Sequence, residues 1–277
     1  MPSQAGLSRR QLLQMGSLTL LMGPDIAHSA PPNYPAVPCG AFLYTTVQGE
    51  SLVLDIAQSH LTRYDTKGNK RWQVGKAGTR PGQLTRPCSV ASLANGYTVV
   101  LDAGNQRLQA WNQAGHPIQP WLDTPPLRQP VGALVTDGDK LAHCDRGDGS
   151  VRVWSDKGRI LATLKQHGPT ALKAPSSLTL DPNQTLWVLD PTQRHLLGFN
   201  GPLWQQGVDA LKLPDIIEAP LQIAYSHQAL YVVDGASRTL YRHQLDQWQK
   251  VDLPAGLPVH LHATSEGHLL VQTVPWI

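Results

Sequence analysis

Two histidines near the carboxyl end of the chain have a spacing that suggests metal chemistry. His260 and His262 lie two positions apart in LPVHLHA, which alternates like a strand. Residues i and i+2 of a strand share a face, so both imidazoles can ligate one metal ion. Candidates for a third ligand are His143, Cys144 and Cys88. The alternative is that backbone groups or water satisfy both imidazoles.

The cysteines suggest a second chemistry. Cys39 and Cys88 each follow a proline, whereas Cys144 follows a histidine. An oxidising compartment would permit a Cys39–Cys88 disulfide and leave Cys144 unpaired. The alternative is that they are buried free thiols.

Five evenly spaced aspartates could suggest a metal or acid–base site, but their spacing points elsewhere. Each is followed after six residues by Leu or Val and after nine by an aromatic ring or a histidine. Consecutive members lie 47, 43, 45 and 44 residues apart: Asp55, Asp102, Asp145, Asp190 and Asp234. An Asp at the end of a strand can hold the following turn by accepting backbone N–H bonds. We therefore interpret these carboxylates as structural residues placed around a ring.

A repeating unit of about 45 residues explains this spacing. In four units a proline precedes the aspartate by 14 or 15 positions, followed by alternating stretches and turns such as LANG and DPNQ. The pattern predicts short antiparallel strands, four to a propeller blade. The aromatic rings at Tyr64, Trp111, Trp154 and Phe199 are expected to pack between blades.

The carboxyl-terminal stretch LPVHLHATSEGHLLVQ has the proline and two strands of a further unit, with Gln272 in place of the aspartate. We therefore predict an all-β fold of six four-stranded antiparallel blades. The last blade is closed by an N-terminal strand, for which Pro31 to Pro38 is the expected segment.

The stretch GTRPGQLTRPCSVASLANGYTVVLDAGNQRLQAW, with Gly96, Asn105 and Arg107 around Asp102, resembles the NHL repeat. The resemblance extends over residues 31–277 and implies a six-bladed NHL-type β-propeller. Lactonase relatives ligate calcium through Glu, Asn and Asp in the channel. The corresponding blade-start positions here hold none of these: Cys39, Cys88, Val131, Ser176, Leu221 and Val259. Relatives that resemble the peptidylglycine amidating lyase bind zinc through channel histidines, which keeps His260 and His262 as candidate ligands.

The first 30 residues resemble a twin-arginine export signal. Arg9 and Arg10 precede a short apolar run from Leu12 to Met22, followed by small residues. The run is shorter than the roughly 20 residues that span a bilayer. We predict a signal peptide at residues 1–30, a periplasmic location and no further transmembrane segment.

The small net charge and the sequence motifs argue against several classes of function. The net charge of +3, without a basic run interleaved with aromatics, argues against nucleic-acid binding. No nucleophile elbow, phosphate loop or haem-attachment motif is present in the sequence. A binding or accessory subunit with a protein partner in the periplasm, such as part of a respiratory redox complex, is therefore favoured over an enzyme. No cofactor is predicted; the alternative is a metal-dependent lyase or lactonase-like enzyme in the channel, using zinc, copper or calcium.

Overall fold

A computed structural model describes residues 17–21, 27–29, 41–46, 48–118, 121, 126–253, 257–264 and 268–274. The regular structure of these residues is β-strand, with a short 3-10 helix at Ala103–Asn105. Within the described residues, no helix has the length and hydropathy needed to cross a membrane.

The strands follow one another in sheets of four along the chain. Two strands precede the first sheet: β1 (Ser17–Leu21) and β2 (Ala27–Ser29). Blade 1 comprises β3 (Ala41–Thr45), β4 (Ser51–Asp55), β5 (His60–Tyr64) and β6 (Lys70–Val74). Blade 2 comprises β7 (Pro87–Ser92), β8 (Thr98–Asp102), β9 (Arg107–Trp111) and β10 (Pro117–Ile118). Blade 3 comprises β11 (Pro130–Asp137), β12 (Lys140–Asp145), β13 (Ser150–Ser155) and β14 (Ile160–Leu164).

A two-stranded ribbon separates blade 3 from blade 4: β15 (Gln166–His167) and β16 (Thr170–Ala171). Blade 4 comprises β17 (Ser177–Leu180), β18 (Leu186–Asp190), β19 (His195–Asn200) and β20 (Gln206–Lys212). Blade 5 comprises β21 (Pro220–Ser226), β22 (Ala229–Asp234), β23 (Thr239–Gln244) and β24 (Gln247–Val251). The last strands are β25 (Leu257–Ala263) and β26 (Leu269–Val274).

The fold is an all-β propeller with mainly antiparallel, four-stranded blades. The structure shows five blades, each built from one contiguous segment, whereas the sequence predicted six blades, the last of them closed by an N-terminal strand. A further four-stranded sheet, which we call the composite sheet, has the strand order β2-β1-β26-β25 and joins both ends of the described chain. The first strands of blades 1 to 5 and β25 all contribute to the wall of one central cavity.

The strand that covers β26 differs from the one expected. β1 pairs antiparallel with β26, from Ser17 opposite Thr273 to Leu21 opposite Leu269. The expectation that Pro31 to Pro38 would supply this neighbour is therefore corrected: the pairing strand lies within the predicted signal peptide, and residues 31–38 lie outside the described residues. The chemical reason is that four of the eight residues from Pro31 to Pro38 are prolines, which have no N–H to donate to a ladder, whereas every residue of SLTLL has one.

Four of the five repeated aspartates accept a backbone N–H of the turn that follows them, as predicted. Asp102 accepts the Asn105 side-chain amide there instead. Asp55 accepts the Gln58 N–H at 2.8 Å. Asp102, Asp145, Asp190 and Asp234 are fully buried, and each also accepts a backbone N–H from the segment that leads into its own blade. Those donors are Thr85, Arg128, Lys173 and Ala219, at 2.6–2.9 Å. Each buried carboxylate thus ties the start of its blade to the end of the second strand.

The aromatic rings pack between blades as predicted. Trp111 packs in a cluster with Leu52 and Leu61 of blade 1, and Trp154 in a cluster with Val99 and Leu101 of blade 2. Phe199 packs in a cluster that includes Val151 and Val153 of blade 3. All three rings are at most 1% exposed, so the core lies at the contacts between blades.

Truncation tests which segment closes the ring. We expect a chain that begins at residue 31 to melt several degrees below the full chain, because β26 loses its outer neighbour. A chain that begins at residue 41 should lose nothing further. Calorimetry of the full chain and of the two truncated chains measures these melting temperatures. If the chain that begins at residue 31 melts like the full chain, and the chain that begins at residue 41 melts lower, then Pro31 to Pro38 is the segment that closes the ring.

Candidate functional site

A cavity of about 700 Å³ lies at the centre of the ring. It is lined by the first strands of blades 1 to 5 and by β25, together with neighbouring turns. Its wall combines apolar side chains such as Leu134, Leu178 and Ile223 with hydroxyl, amide and imidazole groups. The volume is within the range typical of ligand pockets, about 300–1,000 Å³.

The inner edges of the blades explain how this cavity is built. Neighbouring inner strands share no backbone ladder, so the N–H groups of each inner edge need acceptors from the next blade. Side chains supply them: Ser89 accepts the Leu134 N–H at 2.9 Å, and Thr179 accepts the Tyr225 N–H at 2.9 Å. We call these bonds edge pins. The others join Ser177 to the Ile223 N–H, Gln222 to the Leu261 N–H and His262 to the Thr45 N–H, at 2.8–3.1 Å.

Sequence reasoning missed the edge pins, although their positions carry a signal. Ser89, Ser177 and Gln222 each stand two residues after the proline that begins their unit. In blade 3 this position holds Gly132, with φ +77°, where a Cβ would lie 2.0 Å from the Ser176 carbonyl oxygen. At this position the backbone of Gly132 itself comes close to blade 4, so there is no room for a side chain. The shared feature is a position relative to proline rather than a residue type.

The two candidate metal ligands lie between the composite sheet and blade 1. His260 stacks on Phe42 with ring centroids 4.5 Å apart, and both imidazoles meet Tyr44 edge-on, with centroids at 4.9 and 5.4 Å. They therefore share a face, as predicted. The Nε2 atom of His262 accepts the Thr45 N–H at 2.8 Å, so that lone pair already has a protein partner. Their role as metal ligands stays a prediction.

Burial keeps these imidazoles neutral. Desolvation, reinforced by neighbouring His262, lowers the pKa of His260 to about 3. Desolvation also lowers the pKa of His262 to about 4. Gln272, which replaces the repeated aspartate, completes this contact by donating from Nε2 to the Ala41 carbonyl at 2.6 Å.

The other predicted ligands lie in other blades. His143 and Cys144 are buried on β12, where the Nδ1 atom of His143 accepts the Trp154 Nε1–H at 2.9 Å. Cys88 lies on β7 with a free thiol, and burial raises the pKa of that thiol to about 12. Across the described ranges, no three His, Cys, Asp or Glu side chains are grouped to hold a metal ion. Cys39 lies outside the described residues, so the Cys39–Cys88 bridge stays a prediction.

The rim of the cavity has polar groups that the sequence did not single out. His227 and His268 stack with ring centroids 6.0 Å apart, and burial together with the nearby His268 lowers the pKa of His227. Among the described lining residues, Asp181 is the one formally charged side chain. Its carboxylate accepts bonds from two backbone N–H groups of its own turn and from Trp187. The described wall therefore offers mainly neutral donors and acceptors.

Solved structures with the same fold include two lyases and a chain of the nidogen/laminin complex. A streptogramin B lyase matches at TM-score 0.64 and 14% identity, covering 90% of this chain and 84% of that chain. Virginiamycin B lyase from Staphylococcus aureus matches at TM-score 0.63 and 15% identity over the same shares. A chain of the nidogen/laminin complex matches at TM-score 0.56 and 15% identity, covering 86% and 94%. No family model and no curated protein matches. At these identities the likeness establishes the fold, and the chain is a β-propeller.

The buried histidines make stability depend on pH. His143 and His260 have folded pKa values of about 3, below the usual 6.5 of an unfolded chain. A lowered pKa means that the unfolded state binds protons first, so stability is complete above pH 6.5 and is lost as pH falls toward 3. Each imidazole should cost about 2 kcal/mol between pH 7 and pH 5.

Urea unfolding at both pH values measures this loss. His143→Gln and His260→Gln should each remove about 2 kcal/mol of the difference, whereas His116→Gln, on an exposed turn, should leave it unchanged. Equal pH dependence in all four proteins would refute the assignment of buried neutral imidazoles.

Proposed function

We propose that this chain is an exported, six-bladed β-propeller of the NHL type that binds a protein partner in the periplasm, with the central cavity as its binding site. The composite sheet is then the sixth blade. Residues 1–30 direct export and are retained afterwards, because they include β1 and β2 of that sheet. The observation that carries the proposal is a single cavity of about 700 Å³ to which the inner strand of every four-stranded sheet contributes.

The chemistry of the cavity wall supports binding of an uncharged group. Hydroxyl groups such as those of Ser92 and Thr136 alternate with apolar side chains, and the Asp181 carboxylate already accepts three hydrogen bonds. A mostly apolar wall with a few placed polar groups is typical of recognition sites. A partner segment with small side chains would match this wall, because it combines polar main-chain amides with apolar groups.

Two further observations support a protein partner and export. Nidogen, one of the structural neighbours, was solved in a complex with laminin. The twin-arginine route carries folded proteins, which suits a propeller that leaves the cytoplasm alone or bound to a redox subunit. The role of an accessory subunit of a respiratory complex accounts for both a protein partner and export.

The second candidate is a lyase-like enzyme that uses the channel and a metal ion. It is favoured by two lyases among the neighbours, one of them solved as a catalytically inactive histidine-to-alanine variant with quinupristin. The cavity of this chain includes His227, His262 and His268. Binding is preferred because the Nε2 lone pair of His262 is engaged by the Thr45 N–H.

Photo-crosslinking in living cells tests the proposal. A photoreactive amino acid at Thr136, on the cavity wall, should give one discrete adduct with a periplasmic protein. The matched control places it at Thr163, an exposed threonine on the outer strand of the same blade, and should give none. Changing Arg9 and Arg10 to Lys should retain the chain in the cytoplasm and abolish the adduct. Equal adducts from Thr136 and Thr163 would contradict a binding site in the cavity, and adducts that survive the arginine changes would contradict export.

A further inference from the structure

His262 is held in one tautomer by its neighbour in blade 1. The Thr45 backbone N–H donates to Nε2 at 2.8 Å, and the Thr45 hydroxyl lies 2.9 Å from the same atom. A backbone amide can only donate, so Nε2 has no proton and the neutral ring holds its proton on Nδ1. The fold therefore decides which nitrogen of His262 is a donor.

The Thr45 N–H requires this acceptor. It lies on the inner edge of β3, and Thr179 meets the same requirement in blade 4 by accepting the Tyr225 N–H. Both acceptors stand four residues after a proline, Pro175 or Pro258. The comparison shows that a threonine hydroxyl fulfils the structural role of an edge pin at this position. An imidazole adds a second nitrogen that the structural role does not need.

The second nitrogen of His262 is Nδ1, which holds the ring proton. His262 belongs to the cavity wall, and no described residue is hydrogen-bonded to its Nδ1. Nδ1 also does not belong to the buried polar atoms that lack a partner, so it is accessible. The edge-on contact with Tyr44, with centroids 5.4 Å apart, holds the ring plane.

We propose that His262 is a binding residue, whose Nδ1–H donates to a main-chain carbonyl oxygen of an uncharged peptide segment in the central cavity. The inference rests on the proposed binding function and names its ligand chemistry. The ligand is expected to be uncharged because the described wall has no cationic side chain to compensate a buried carboxylate, and its one carboxylate, that of Asp181, already accepts three hydrogen bonds. The apolar wall formed by Leu134, Leu178 and Ile223 accommodates the small side chains beside that carbonyl.

Nuclear magnetic resonance of protein labelled with ¹⁵N-histidine tests the donor directly. We expect His262 to show a protonated Nδ1 and an unprotonated Nε2 at pH 7. Adding the blocked peptide N-acetyl-trialanine methylamide should shift the Nδ1 resonance in a saturable manner, whereas sodium acetate and methylammonium chloride should not. A protonated Nε2, or a Nδ1 resonance that ignores the peptide, would overturn the inference.

A substitution separates binding from structure. His262→Thr keeps an edge pin like that of Thr179 and removes the ring donor, so the melting temperature should change little and peptide affinity should fall about tenfold, the effect of one hydrogen bond. His262→Leu removes both groups and should lower stability as well. His116→Thr, on an exposed turn, should change neither.

The outcomes distinguish this inference from the proposed function. Wild-type peptide affinity in His262→Thr overturns the role of His262 even if the Thr136 crosslink is intact, and the proposed function then stands. A normal peptide response without the Thr136 crosslink rejects the protein partner and leaves His262 as a donor in the cavity.

Discussion

The inner edges of the blades impose the constraint on which the rest of the structure depends. Each blade has a complete backbone ladder within its own sheet, but its first strand faces the neighbouring blade without one. A buried N–H without an acceptor costs about 1–3 kcal/mol. Edge pins remove this cost at the contacts that close the ring, because a side chain of one blade accepts an N–H of the next: Ser89, Ser177, Thr179, Gln222 and His262.

The same constraint determines the chemistry of the cavity. A hydroxyl or amide edge pin uses its polar atoms on the neighbouring blade; Gln222, for example, accepts the Leu261 N–H and also donates to the Leu261 carbonyl. An imidazole has two nitrogens on opposite sides of a rigid ring, so His262 can satisfy Thr45 and still present a group to the cavity. His262, which first suggests a metal site, thus has a structural role through its Nε2 atom, which accepts the Thr45 N–H. The second nitrogen of His262 is the basis of the binding role that we propose for this residue.

The sequence predicts the blades well because their determinants recur at a fixed spacing. Four of the five repeated aspartates are buried, and each of these four accepts a backbone N–H from the start of its own blade. The edge pins were not predicted because equivalent positions hold different residues. Ser89 uses a hydroxyl, Gly132 a close backbone contact and Gln222 an amide to join neighbouring blades. The sequence predicted that an N-terminal strand closes the last blade, but it placed that strand at Pro31 to Pro38 because the residues of β1 were assigned to the signal peptide.

Hydrogen exchange of individual backbone amides tests the edge pins most directly. The account predicts that the N–H groups of Thr45, Leu134 and Tyr225 exchange nearly as slowly as that of Val100, which lies on β8 in the middle of blade 2. The Asn183 N–H, bonded to a carboxylate in an exposed turn, should exchange far faster and sets the other limit. If the three inner-edge amides exchange as fast as Asn183, the edge pins do not hold the ring together and the account is wrong.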